Sequence, residues 1–227
     1  QGVKSFLESR DIHLPFGEPS DEAGFDTICA VGNSKNEMFR SIVAEEGVEI
    51  YDTAIEFVKD LKEQNVLLAV ASSSKNCRYI LEKTELIDYF ETVVDGNVSK
   101  ELGLSGKPAP DIFVVAAENM GLKPNQCMMA EDAFAGAEAG KNGNFGLVLG
   151  ISRNGEEEKL KAYGADLVIE DFSEIDVDDV NLWFSSNMED DSWFLNYYGY
   201  EPSEERLRAA LTTVGNGFFG TRGCSVP

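Results

Sequence analysis

The nine residues from Met128 to Gly136, MMAEDAFAG, place two adjacent carboxylates between a short apolar segment and a helix rich in glycine and alanine. The apolar segment is typical of a buried strand of a parallel sheet. Ligands converge at the carboxyl ends of such strands, and carboxylate oxygens are the ligands that Mg²⁺ prefers. Glu131 and Asp132 are therefore candidate magnesium ligands. The alternative is a solvated surface pair, because most charged side chains are exposed.

A second strand end carries groups that suit an oxyanion. Residues 66–71 (VLLAVA) form a continuous apolar run, and residues 72–76 (SSSKN) follow it directly. Their hydroxyl, amide and ammonium groups can donate hydrogen bonds to phosphate oxygens. Residues 106–111 (GKPAPD) then set Lys107 on a stiff, proline-flanked loop before a predicted helix. A hydroxyl, a lysine and a carboxylate pair thus follow one another along the chain.

The order of the apolar segments predicts an α/β fold. Predicted strands cover residues 66–71, 91–94, 127–130, 145–149 and 165–169, and predicted helices cover residues 51–64, 75–86, 111–120 and 133–142. Strands and helices that alternate at this spacing predict a doubly wound parallel sheet. Residues 1–49 read as helical pieces, and the acidic residues 176–192 read as a linker.

Composition limits the possible partners. With 227 residues and 43% hydrophobic content, the chain can bury one α/β core and a small appendage. Its net charge of −22 argues against nucleic acid and anionic membranes as partners. The four cysteines have no Cys-x-x-Cys spacing and the chain has one histidine, so we expect no zinc site. The sequence has no visible signal peptide or membrane-spanning apolar run, and we expect a cytoplasmic protein.

The three motifs, in this order, resemble motifs two, three and four of the haloacid dehalogenase (HAD) superfamily. Segments 71–76 (ASSSKN), 106–113 (GKPAPDIF) and 131–136 (EDAFAG) are similar to its β-phosphoglucomutase branch in particular. The resemblance implies a HAD-like α/β core over residues 50–175, preceded by a partial helical cap domain over residues 1–49. It also implies phosphoryl transfer between the 1- and 6-oxygens of glucose through a phosphoaspartate, with Mg²⁺ as cofactor and a sugar phosphate as substrate.

The resemblance assigns roles to individual residues. Ser72 would hydrogen-bond the transferring phosphoryl group and Lys107 would neutralise it, so these two are the candidate catalytic residues. Glu131 and Asp132 would hold Mg²⁺. The candidate substrate-binding residues are Ser73, Ser74, Lys75 and Asn76 in the loop and Lys35 in the cap. For Lys35, a solvated helix lysine is the alternative.

The superfamily's nucleophile is missing from its usual place. It is the first aspartate of an Asp-x-Asp motif that ends the first strand, and no such strand precedes Ser72. The one Asp-x-Asp triplet, at residues 176–178, follows the last motif, and Asp95-Gly96 matches an ordinary strand-end loop. We therefore expect a chain that begins inside the cap domain and lacks the first strand. Two flanking strands would then have open edges that invite association, and the chain would not form the phosphoaspartate.

Residues 193–227 carry a second resemblance. The segments 193–200 (WFLNYYGY) and 213–223 (TVGNGFFGTRG) are similar to the start of glycoside phosphorylases that act on maltose, trehalose or kojibiose. This implies a bifunctional protein with a covalently linked phosphorylase domain, which would release the β-glucose 1-phosphate that a β-phosphoglucomutase uses. Two alternatives stay open: a HAD sugar-phosphate phosphatase, and a non-catalytic structural or sugar-phosphate-binding module.

Overall fold

The computed structural model describes residues 2–187 and 208–213. The chain forms two compact units, Gln1–Val48 and Glu49–Pro227. Their boundary lies one residue before the end of the predicted cap domain. Over the described residues, no helix combines the length and the hydropathy needed to cross a bilayer.

The helical unit contains α1 (Gly2–Glu8) and α2 (Ile28–Glu46). A turn-rich segment joins these helices. α2 begins where the Thr27 hydroxyl accepts a hydrogen bond from the Ala30 N–H, at 2.9 Å, which satisfies one of the free donors of the first turn. It ends at Gly47, whose φ of 79° favours glycine.

The α/β unit is a parallel sheet with its connecting helices. Its strands are β1 (Val66–Ala71), β2 (Thr92–Val94), β3 (Cys127–Glu131), β4 (Leu147–Ile151), β5 (Leu167–Ile169) and β6 (Arg208–Thr213). Its helices are α3 (Asp52–Glu63), α4 (Cys77–Lys83), α5 (Gly96–Leu102), α6 (Asp111–Asn119), α7 (Phe134–Asn142), α8 (Glu157–Ala162) and α9 (Val177–Asn187), with short 3₁₀ turns at Ile87–Tyr89, Pro124–Gln126 and Phe172–Glu174. Within the described residues the strand order is β2-β1-β6-β3-β4-β5 and all pairs are parallel, which confirms the predicted sheet.

The core lies around β1, β3 and β4, whose residues are buried almost throughout. Continuous apolar runs suit strands that are covered on both faces. Phe113 of α6 is fully buried and meets Phe145 edge to face, with 6.2 Å between the ring centroids. α7 packs closely on the sheet because Gly140 has no side chain, and a Cβ there would lie 2.5 Å from Met129 Sδ. This packing fixes the carboxyl ends of the central strands.

The centre of the sheet differs from the prediction of open edges. Arg208–Thr213 lies between β1 and β3 and pairs with both of them. A strand in this place satisfies the backbone N–H and C=O groups that two open edges would leave unpaired. These six residues belong to the C-terminal extension predicted over residues 193–227. The rest of that extension lies outside the described residues.

The predicted linker over residues 176–192 is wrong for the part that the structure describes, because α9 occupies most of it. Asp176 and Asp179 cap the start of α9 by accepting each other's backbone N–H, at 2.9 and 3.0 Å. Two valines and Phe184 form a buried stripe on the helix, and Phe184 is fully buried. The acidic residues of the helix itself, Asp178 and Asp179, lie in its first turn. Residues 188–192 lie outside the described part of the chain.

Candidate active site

Ser72 and Asp132 lie at the same edge of the sheet. Ser72 directly follows β1 and Asp132 directly follows β3, with β6 between the two strands. Val70 and Ala130 both align with Thr212 of β6, so Ser72 and Asp132 stand level with each other. Two inter-strand spacings put their backbones roughly 10 Å apart. That distance is short enough for one phosphate group, with a metal ion and hydrogen bonds, to reach both residues.

Lys107 reaches this edge from the loop before α6. Its Nζ atom lies 2.6 Å from Glu131 Oε2 and 4.9 Å from the centroid of the Phe113 ring. The Lys107 side chain is 14% exposed and that of Glu131 is fully buried. An ion pair that is removed from water is costly to break, because the remaining charge would be left uncompensated. The Lys107 ammonium is therefore held at the end of β3.

Glu131 has partners other than those of a simple metal ligand. One carboxylate oxygen is bound to Lys107, and the other accepts a hydrogen bond from the Ala133 N–H at 3.2 Å. Gly136 makes room for this side chain, since a Cβ there would lie 2.2 Å from Glu131 Cδ. Both oxygens of Glu131 are thus engaged inside the protein. Of the two predicted metal ligands, Glu131 therefore has both oxygens occupied, and Asp132 is the carboxylate that remains for a metal ion.

The environment of Asp132 suits a cation. Burial, followed by the negative charge of Glu131, raises the pKa of Asp132, and its own backbone N–H, Arg153 and Lys107 oppose this rise. A bound cation would relieve such a carboxylate, because it offsets both the burial and the like charge. The donor chemistry therefore fits Mg²⁺, which commonly binds one or two carboxylates and keeps several waters. Among the described residues, no cluster of three or more His, Cys, Asp or Glu side chains could hold a metal.

The loop after β1 is shaped by its own hydroxyl groups. The buried Ser72 donates its N–H to the Val94 carbonyl at 2.9 Å, and its Oγ accepts from the Ser74 N–H at 3.2 Å. Ser74 Oγ accepts in turn from the Asn76 N–H, also at 3.2 Å. Such bonds are typical of tight turns. The predicted phosphate-binding residues lie at the surface, with Ser73, Ser74 and Lys75 exposed and Asn76 half-buried.

The aspartates that resemble a nucleophile motif have structural partners. Asp95 is buried and caps α5, where its carboxylate accepts hydrogen bonds from the Asn97 and Val98 N–H groups at 2.8 and 3.0 Å. This matches the interpretation of Asp95-Gly96 as a strand-end loop. The triplet at residues 176–178 lies at the start of α9, where its first aspartate is part of the cap.

Lys35 belongs to the helical unit and is exposed on α2. Its neighbours tie α2 to the preceding segment, because Asn33 Nδ2 donates to the Asp21 carbonyl at 2.7 Å and Ser34 Oγ donates to the Gly24 carbonyl at 3.3 Å. The role of Lys35 toward a sugar stays a prediction.

Sequence reasoning missed Arg153, a basic residue two positions after β4. Its guanidinium stacks on the Tyr51 ring, 3.8 Å from Cζ to the centroid. Its positive charge also opposes the rise in the pKa of Asp132 that burial and Glu131 cause. The signal that could have found it is the one that identified residues 72–76: a basic residue in the turn directly after a buried strand.

Comparisons with known proteins identify the family and the fold. The family model of haloacid dehalogenase-like hydrolases matches residues 3–144. A β-phosphoglucomutase of Mycobacterium tuberculosis is 38% identical over 177 residues, which are 77% of this chain and 68% of that protein. An uncharacterized glycosyl hydrolase of the same species is 33% identical over 176 residues, which are 78% of this chain but 13% of that protein. The crystal structure of a β-phosphoglucomutase from Clostridium difficile matches with a TM-score of 0.67 at 23% identity, over 82% of this chain and 76% of that one, a likeness of fold.

Proposed function

Because the chain belongs to the haloacid dehalogenase-like hydrolases, in their β-phosphoglucomutase-like branch, we propose that it is a module for phosphoryl transfer on a hexose phosphate. The observation that supports this most is the meeting of Ser72, Lys107 and Asp132 at one edge of the sheet. Phosphoryl transfer depends on positioning and on charge neutralisation. A hydroxyl donor, a fixed ammonium and the carboxylate of Asp132 supply these within the reach of one phosphate group.

Each residue has a distinct part in this proposal. Ser72 donates a hydrogen bond to a phosphoryl oxygen, and Lys107 compensates the negative charge of the group. Glu131 keeps Lys107 in place through the buried ion pair. Asp132 would hold Mg²⁺, which when bound supplies the largest local charge and polarises the phosphoryl oxygens. These local cations matter because a chain with a net charge of −22 repels phosphorylated substrates.

The phosphoaspartate step needs a nucleophile that we do not assign to a residue of this sequence. Asp95 and Asp176 act as helix caps, and no apolar strand that ends in Asp-x-Asp precedes Ser72. We therefore propose that the 227-residue chain binds a hexose phosphate and Mg²⁺ without turning the sugar phosphate over.

Binding can be tested by a ¹H–¹⁵N NMR titration with β-glucose 1-phosphate and Mg²⁺. We expect shifts of the amides in the loop at residues 72–76, at Lys107 and at Ala133. Lys107→Ala should weaken binding about tenfold, as for the loss of a charge-assisted hydrogen bond. Lys123→Ala is the matched control, because Lys123 is exposed and precedes β3 at its opposite end. An equal effect of both substitutions, or shifts confined to other regions, would contradict the proposed site.

The reaction products separate the alternatives. Coupled assays for glucose 6-phosphate and for inorganic phosphate should both give no signal above background with the bare chain. Release of inorganic phosphate would favour the sugar-phosphate phosphatase. Formation of glucose 6-phosphate would mean that a carboxylate with a structural role here, such as Asp95, is the nucleophile. The loss of that activity in Asp95→Asn would then identify it.

We also propose that this module is covalently linked to a glycoside phosphorylase domain. The resemblance of residues 193–227 supports this, and so does the relative named a glycosyl hydrolase, in which the matched region is only 13% of the protein. An antibody raised against residues 50–175 should detect, in the cells that make this protein, a product far larger than 24.9 kDa. A single band at 24.9 kDa would refute the linkage.

A further inference from the structure

We propose that Gly96 and Asn97, in the first turn of α5 directly after β2, are positioning residues that hold the loop Ser72–Asn76 in its phosphate-binding form. The Gly96 N–H donates a hydrogen bond to the Ser74 carbonyl, and Asn97 Nδ2 donates one to the Lys75 carbonyl, both at 3.1 Å. Neither residue belongs to the motifs that resemble the family. The inference rests on the proposed function, because it concerns how the same loop is held.

These two hydrogen bonds set the direction of the loop amides. A trans peptide unit is planar, so its C=O and its N–H point to opposite sides. Because the carbonyl of Ser74 points toward the turn, the next N–H, that of Lys75, points away from it, while the Asn76 N–H is bonded within the loop to Ser74 Oγ. These two bonds, which we call the brace, therefore present the Lys75 N–H on the open side of the loop, where Ser73 and Ser74 are also exposed.

Gly96 also sets how closely the two segments approach. A Cβ built on Gly96 would lie 2.4 Å from the Ser73 carbonyl oxygen and 3.0 Å from the Lys75 nitrogen. Both of these neighbours are backbone atoms, which cannot move aside by a change of rotamer. Any side chain at this position would push the loop outward and shift the amides that it presents.

The turn is itself anchored on the buried side. Asp95 is buried and accepts hydrogen bonds from the Asn97 and Val98 N–H groups, which fixes the start of α5. Ser72 donates its N–H to the last residue of β2, Val94, at 2.9 Å. The loop is thus tied to the β2 side of the sheet at its start and along its length. A rigid support of this kind lowers the cost of ordering the loop when an anion binds.

The test uses Gly96→Ala, Asn97→Ala and Asn97→Asp in the 227-residue chain. Each folded variant is titrated with inorganic phosphate and with β-glucose 1-phosphate, and the loop amides are followed by ¹H–¹⁵N NMR. We expect affinity at the loop to fall about tenfold, as for the loss of a supporting hydrogen bond. Shifts at Lys107 and Ala133 should remain. Asn97 Nδ2 also donates to Asp95 Oδ2 at 3.2 Å. Asn97→Asp should therefore weaken binding at least as much as Asn97→Ala, because a carboxylate cannot donate to the Lys75 carbonyl and would repel the carboxylate of Asp95.

Two controls separate positioning from general stability. Asn119→Ala removes a bond of the same length, from Nδ2 to Thr92 Oγ1 at 3.1 Å, that does not touch the loop. Gly24→Ala adds a Cβ whose nearest atoms lie 3.8 Å away. Both should bind like the wild type, and the melting temperatures of all variants show whether stability alone explains a difference. If Gly96→Ala does not fold, the two Asn97 variants decide the question.

The outcomes distinguish this inference from the proposed function. If the wild type binds at the loop and the brace variants bind equally well, the brace is refuted and the proposed function stands. If the wild type shows no shifts at Ser72, Lys107 or the loop, both are refuted. A tenfold loss that follows the Asn97 donor, with unchanged controls, supports the brace.

Discussion

The two units of the chain are stabilised in different ways. In the α/β unit the central strands are buried, and α6 and α9 add fully buried aromatic side chains such as Phe113 and Phe184. In the helical unit, Ala30 and Val43 are the buried hydrophobic residues among those described, and Phe25 is 78% exposed. Packing therefore supports the unit that carries the proposed phosphate-binding groups, where positions must be held to within a fraction of an ångström.

Polar groups take a larger share in the helical unit. Asp21 accepts hydrogen bonds from the Glu18 N–H and the Thr27 hydroxyl, at 3.1 and 2.6 Å, and Thr27 caps α2. A hydrogen bond makes a net contribution of about 1 kcal/mol to folding stability, which is less than that of a fully buried large side chain. Local opening should therefore begin in the helical unit, while the α/β unit keeps the geometry of its sheet edge.

The largest expected effect comes from a core residue of the α/β unit. Phe113→Ala should lower the free energy of unfolding by about 3–5 kcal/mol, because it leaves a cavity beside Phe145 and under Lys107. Phe25→Ala, the same change in the helical unit, should alter it by about 0.5 kcal/mol or less. Urea denaturation followed by far-UV circular dichroism measures both. Similar losses would mean that the two units do not differ in the way proposed.

Burial should also separate two ion pairs of equal length. Glu131→Gln should cost about 3 kcal/mol, because Lys107 would be left without its partner in a buried place. Glu157→Gln breaks the exposed pair with Lys161, also 2.6 Å long, whose side chains are 46% and 54% exposed, and should cost about 0.5 kcal/mol.

A double variant sharpens this test. Lys107→Met together with Glu131→Gln should recover much of the lost stability, since neither charge remains buried alone. Thermal melts of the two single variants and the double variant give the interaction energy. If the double variant is as unstable as the sum of the single ones, the loss arises from packing and not from the unpaired lysine.

The sequence predicted much of the fold because its signals are local. β1 has the predicted bounds, Val66–Ala71, and α6 begins at the predicted Asp111. A continuous apolar run of six residues that ends in polar residues favours a buried strand, because it is too short for a typical buried helix. The same rule placed Ser72 and Asp132 at the ends of strands.

What could not be predicted depends on contacts between distant residues. Lys107 and Glu131 meet because the α6 loop packs over β3, so the sequence alone could not show that Glu131 is engaged. The pairing of Arg208–Thr213 between β1 and β3 is likewise a matter of backbone partners, which the side-chain pattern does not encode. α9 was missed because its acidic residues outweighed a short buried stripe.

A smaller effect is expected from the cap of α2. Thr27→Ala removes the acceptor for the Ala30 N–H and the donor to Asp21, so it should cost about 1–2 kcal/mol. The loss should be confined to the helical unit. Hydrogen exchange measures this: the α2 amides should exchange faster in the variant than in the wild type, and the β3 amides should exchange at the same rate in both. Ser41→Ala is the control, because it removes an exposed bond to Glu45 in the middle of α2. Equal acceleration of exchange in β3 would show that the two units open together.

The smallest expected effect is a pH dependence within the packed unit. Burial raises the pKa of Asp166, against the opposing effects of the Val148 N–H and of Lys141. The folded chain then holds this proton more tightly than the unfolded chain does, so stability falls as the pH rises from about 4 through the folded pKa. Asp166→Asn keeps an oxygen acceptor for the Val148 N–H and removes the charge. It should therefore melt slightly above the wild type at pH 7, and the gain should vanish toward pH 4.

Asp171 provides the opposite case in the same unit. Hydrogen bonds from Ser173, and a further one from Thr53, lower the pKa of Asp171. Its contribution to stability is thus present above the unfolded pKa and is lost as the pH falls through the folded pKa. Asp171→Asn should melt below the wild type at pH 7, with a smaller difference near pH 3.

Melting temperatures of both variants across this range would show slopes of opposite sign, because burial dominates at Asp166 and hydrogen bonding dominates at Asp171. If Asp166→Asn also melts below the wild type at pH 7, the hydrogen bond that the charged Asp166 accepts from the Val148 N–H of β4 stabilises the fold by more than burial of the charge destabilises it.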